Sequence, residues 1–71
     1  MSKMHIIKNI IVGVDQEGKP LHYIEAAGDS TDDKPTETDV GGPIVDSSTA
    51  IESNTANVFF YNGKTSTWIE A

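Results

Sequence analysis

The 71-residue chain has no cysteine, which excludes disulfide staples and thiolate zinc sites. It also has no arginine. Its five cations, Lys3, Lys8, Lys19, Lys34 and Lys64, are scattered. The planar fork that clamps phosphate or carboxylate is therefore missing. Binding to nucleic acid by counterion release needs clustered lysine and arginine, so no nucleic-acid partner is expected. No apolar run approaches the roughly 18 residues of a membrane span, and no membrane partner is expected either. The opening "MSKMHIIKNIIVGV" imitates the basic and apolar parts of a secretion signal. Lys8 and Asn9 interrupt it, however, and no A-x-A-like site follows, so no signal peptide is expected. Histidine is scarce too, with only His5 and His22.

These shortages leave a problem of size. Below about 70–80 residues a chain usually relies on disulfides, a metal, oligomerisation or a highly idealised core. With the first excluded and no metal motif evident, association with copies of itself or with a larger body is the expected device. The net charge of −6 favours solubility and suits a basic partner.

Much of what is present is β-type. Residues 4–14 are dense in isoleucine and valine, which fit a pleated sheet better than a helix. Alternation puts Ile6, Lys8, Ile10, Val12 and Val14 on one face and Ile7, Asn9, Ile11 and Gly13 on the other. Both faces are largely apolar, so cover on both sides is expected. "DQEGK" is a hairpin connection in which Gly18 takes positive φ. "LHYIEAA" is the return strand, entered at Pro20. Residues 27–43 lack apolar periodicity and carry Gly28, Pro35, Gly41, Gly42 and Pro43, the marks of a loop. A loop this long in so small a chain should be held by something, and a neighbouring subunit is the expected holder. Beyond it, residues 49–53 alternate, Val58-Phe59-Phe60-Tyr61 is an aromatic strand, Asn62-Gly63 signals a turn, and residues 67–70 close the hairpin. The expected fold is all-β, a small antiparallel sheet of about five strands. An N-terminal hairpin (residues 1–26) and C-terminal strands (residues 44–71) are joined by a long acidic loop (residues 27–43), all in one domain.

Chemical candidates are few. "GDSTDDKPTETD" packs five acids into twelve positions. Set against a calcium loop starting at Asp29, it has Thr31 at position 3, Lys34 in place of the glycine and Val40 in place of the final glutamate. Ser, Thr and Asp at this density instead hold turns by bonding nearby backbone N–H groups, followed by an extended, solvated arm. No G-x-S-x-G occurs, and "VGGP" lacks the lysine and helix of a phosphate loop. No enzymatic activity, metal or cofactor is expected. Four of the five aromatics, Phe59, Phe60, Tyr61 and Trp68, fall within ten residues. They form the main cluster, with Trp68 across the hairpin from Phe59–Tyr61. Because that strand has aromatics on both faces, one face is expected to meet a partner. The expected interface residues are Ile6, Ile7, Ile10, Ile11 and Val12 on the first strand, with Phe59, Tyr61 and Trp68 on the aromatic hairpin.

The ending "VFFYNGKTSTWIEA" resembles a recurrent ending of short proteins encoded in the virion-structure modules of tailed bacteriophages. Their pattern is V-[YF]-[FM]-[YF], a polar turn, then T-x-W shortly before the terminus, where this chain has Ser66-Thr67-Trp68. The upstream "GDSTDDKPT…GGPIVDSSTAIESNT" is similar to their G-[DS]-S-x-D-x-K-P-T-type segment and the strand after it. The resemblance covers roughly residues 23–71. It implies a non-enzymatic virion component of the capsid-decoration or head-fibre type, made in the cytoplasm of an infected bacterium and assembled with itself or other virion proteins. A tail or receptor-binding module recognising a host-surface glycan is the alternative.

Overall fold

At the tip of the first hairpin, Asp15 Oδ1 accepts from the N–H groups of Glu17 and Lys19. Gly18 sits at φ 82°, the left-handed region open to a residue without Cβ. This turn joins β1 (His5–Val14) to β2 (Pro20–Gly28). The computed structural model describes residues 2–71. Three shorter strands follow: β3 (Thr49–Glu52), β4 (Asn57–Asn62) and β5 (Thr67–Glu70). All five lie in one sheet in the order β1-β2-β3-β4-β5. The five-strand, all-β architecture agrees with the sequence reading.

One pairing departs from it. β1–β2, β3–β4 and β4–β5 are antiparallel, but β2 and β3 run parallel, so the sheet is mixed. Parallel neighbours need a crossover of about a dozen residues or more, and residues 29–48 supply it. Its centre is a one-turn helix, α1 (Glu37–Val40), where the sequence suggested only loop. Thr36 and Asp39 form a reciprocal capping box, and Gly41, at φ 92°, ends the turn.

Contacts within its own chain hold the acidic connection. Trp68 Nε1 donates to Pro35 O at 2.9 Å. Tyr61 Oη donates to Glu37 Oε2 at 3.0 Å. Lys3 pairs with Asp39 at 2.5 Å. Backbone bonds tie Met4 N to Asp33 O, and His22 to Pro43 and Val45. The connection is therefore a folded strap across one face of the sheet, where an extended, solvated arm was expected.

That strap defines a covered face and an open face. The covered face carries His22, Ile24 and Ala26 of β2, Ala50 and Glu52 of β3, and Tyr61 of β4, all buried. Its core is two small clusters. Met4, Ala26 and Ala50 pack with Phe59 and Trp68, while Ile24, Ile44 and Tyr61 pack with Val40 and Trp68. Trp68 thus joins the two. Buried Ser48 fills the gap before β3 begins, since its Oγ accepts from Ile24 N at 3.1 Å and its carbonyl accepts from Tyr61 N at 3.0 Å.

β1 does not follow simple alternation. Ile7 and Val12 have no register partner, and the ladder shifts at each, as at a β-bulge. Ile6, Asn9, Ile11 and Val14 therefore line up with the covered side (opposite Ala26, Ile24, His22 and Pro20). Lys8, Ile10 and Gly13 line up with the open side, opposite Glu25, Tyr23 and Leu21. Apart from half-buried Ile6, every residue of β1 is exposed, so the cover expected on both sides is absent within the single chain.

Candidate functional site

The acids of the strap are distributed among structural tasks. Asp32 Oδ2 accepts from Asp29 N at 2.9 Å and Asp39 Oδ2 from Thr36 N at 2.9 Å. Glu37 Oε2 takes the Tyr61 hydroxyl and, at 3.3 Å, Ile44 N. The hydrogen bond from Lys3, helped by Thr36, holds the Asp39 carboxyl below the usual carboxylate range. Among the described residues, no three His, Asp or Glu side chains converge as a metal site would require. His22 is also committed. Its Nδ1 bonds Asn9 Oδ1 at 2.8 Å, and its Nε2 is buried without a partner, close to Gly42.

The aromatic hairpin is built around an edge-to-face pair. Tyr61 and Trp68 are cross-strand partners with ring centroids 5.0 Å apart and planes at 73°. Beside them, Lys34 Nζ lies 3.8 Å from the Phe59 ring centroid and 3.2 Å from Glu52 Oε2. Glu52 is 6% exposed and also accepts from Thr55 Oγ1 at 2.9 Å. That hydroxyl first, then Lys34, holds its pKa below the ordinary glutamate value. Burial pushes the Tyr61 phenol up. A cavity of about 200 Å³ lies between the hairpin and the strap, lined by residues that include Lys34, Thr36, Thr38, Tyr61 and Trp68.

The other side of the sheet has no cover. Register places Ile10, Tyr23, Ile51, Val58, Phe60 and Ile69 on it. Ile10, Ile51, Phe60 and Ile69 are 42%, 41%, 44% and 50% exposed. The charged strand residues on this face are Lys8 and Glu25, which are cross-strand partners. Tyr23 Oη donates to Glu25 Oε2 at 2.8 Å, and that bond raises the tyrosine pKa. Beyond β3, residues 42–45 flank β2 at Pro20 and His22, so the arm of the first hairpin is open along its outer strand, which bears exposed Ile11, Val12 and Val14.

The expected interface residues fall into two groups that the fold keeps apart. Ile6, Ile7, Ile10, Ile11 and Val12 are on the β1 edge. Phe59 and Tyr61 are on β4 and Trp68 is on β5, three and four strands away in the sheet order. Tyr61 is buried, and Phe59 and Trp68 half-buried, beneath the chain's own strap. The exposed aromatic of β4 is Phe60, which with Ile51 and Ile69 makes a surface that residue-level reasoning missed. The signal was the alternation of β4 itself, in which burial of Tyr61 forces Phe60 outward. No protein-family model, curated protein or solved structure matches this chain.

Proposed function

We propose that this chain is a non-enzymatic structural component of a tailed-bacteriophage virion, of the capsid-decoration or head-fibre kind. It works by assembling with copies of itself or with other virion proteins. The observation that carries the assembly reading is the open apolar face of the sheet, continued by the exposed hairpin arm. An apolar surface of this extent on a small soluble domain marks an interaction site. The resemblance of residues 23–71 to virion-module proteins supplies the setting. Bulges at Ile7 and Val12 interrupt the outer edge of β1, and such bulges blunt edge-to-edge strand pairing. Side-chain contact through the face is therefore the favoured mechanism over strand addition. Co-sedimentation of the purified protein with phage heads and with tails is the test. Saturable binding to heads is expected, and a folded protein that sediments with neither would overturn the reading.

The glycan-binding alternative rests on the cavity beside Trp68 and Tyr61. Its volume of about 200 Å³ is below the roughly 300 Å³ at which small-molecule sites begin, and the indole N–H is already spent on Pro35. A glycan array decides, since binding that Thr38→Ala abolishes while the fold persists would establish it.

A further inference from the structure

We propose that two copies of this chain pack open face to open face about a two-fold axis, forming a ten-stranded β-sandwich with the two straps outermost. This deepens the structural-subunit reading by naming the partner and the surface. It draws on that reading for its biological role alone.

Charge is the first ground. Asp29, Asp32, Asp33, Glu37 and Asp39 all lie in residues 29–40, against one lysine, Lys34. Most of the chain's negative charge thus sits on the strap side. The open face carries Lys8 and Glu25 as neighbours, and Asp46, Lys64 and Glu70 beside Phe60 and Ile69 at its margin, so its charges nearly balance. A chain of net charge −6 meets its like with least repulsion through this side. The same distribution disfavours other occupants. A basic partner would be drawn to the strap. An anionic lipid surface needs a polybasic patch, and nucleic acid needs clustered cations. The open face has neither.

Area is the second ground. Five strands of 4 to 10 residues, spaced about 4.8 Å apart with a rise of about 3.3 Å per residue, make a plane of about 500 Å². Two such planes bury on the order of 1,000 Å², the lower bound for a specific association. The pairing is therefore a reversible dimer and not an obligate one. Sheets stacked this way lie about 10 Å apart with strands inclined by about 30°. In that arrangement Ile51 and Phe60, near the middle of the sheet, become the core of the interface.

Light scattering across a dilution series tests the association. The expected mass is twice 7.7 kDa at high concentration, falling toward 7.7 kDa on dilution. Phe60→Glu and Ile69→Glu should leave the circular dichroism spectrum unchanged and abolish the dimer, while Ile11→Glu on the arm should leave it intact. A native chain that stays monomeric throughout overturns the proposal. So does a dimer that survives both face substitutions and is lost in Ile11→Glu. Should the glutamate variants unfold, a spin label settles the matter. The chain has no cysteine, so Thr49→Cys on the central strand takes a single label. Strong dipolar coupling between two copies is expected, and a dimer without it overturns the face-to-face arrangement. A dimer that binds no phage particle would sink the virion reading and leave this pairing standing. A monomer that binds phage heads would do the reverse.

Discussion

Ser48 closes a break in the sheet with one hydroxyl. β2 and β3 pair only from Glu25 onward, so the buried N–H of Ile24 would be stranded without Ser48 Oγ. Leaving a buried donor unpaired costs about 1–3 kcal/mol. Ser48→Ala should lower the unfolding free energy by that amount in urea titration, with no change in the surface exposed on unfolding. Ala56 makes the opposite case. It sits at φ 62°, where a Cβ costs about 1–2 kcal/mol, while glycine gives back about 0.5–1 kcal/mol in chain entropy. Ala56→Gly should therefore stabilise the protein by about 0.5–1 kcal/mol, visible as a higher urea midpoint. Neither position was legible beforehand. Ser48 is one of many serines, and sequence pattern assigns left-handed turn positions to glycine. The Asn62-Gly63 signal did mark a turn, yet the residue there with positive φ is Ser66, at 55°. By contrast, the positive φ of Gly18 and the facing of Trp68 and Tyr61 were readable, because a hairpin fixes both locally.

Among the elements, the strap depends on ionised carboxylates. Asp39 binds it to Lys3, while Glu52 holds Lys34 against Phe59. Both carboxyls have pKa values lowered in the folded state. Their stabilisation is fully present above the ordinary carboxylate range and is lost as pH falls through the lowered values. Acid titration followed by tryptophan fluorescence should show the environment of Trp68 opening below about pH 4. Glu52→Gln should be less stable at neutral pH and should lose less on acidification. The two tyrosines with raised pKa values, Tyr23 and Tyr61, act at the other end. Their contribution is present below the unfolded value of about 10 and is lost as pH rises past it. The strap was the least legible element. Its backbone is satisfied by contacts remote in sequence, and its single helical turn is too short for apolar periodicity. The available sign was the Thr36-x-x-Asp39 capping pair with Gly41 just beyond. The bulges of β1 were equally hidden, because a strand apolar on both faces looks the same in either register.

At the scale of the whole molecule, the composition correctly indicated an all-β domain of about five strands and left its mode of closure open. An antiparallel join and a parallel join differ only in whether the connection crosses the sheet, and residues 29–48 permit either by length alone. The parallel ladder between β2 and β3 also governs how quickly the chain reaches its native state. Each flanking hairpin pairs residues close in sequence and forms on the microsecond scale. The central ladder rewards the chain only after the strap has been closed, so the entropy of that closure comes first. The two hairpins should therefore wait on one late docking event, with the β2–β3 contacts already made at the barrier. Stopped-flow measurements on Ala50→Gly should show slower folding with the unfolding arm nearly unmoved. A change confined to the unfolding arm would mean that the strap closes after the barrier. During that wait the hairpin faces lie unpaired in solution, so the same slow step sets how long each newly made chain is open to aggregation.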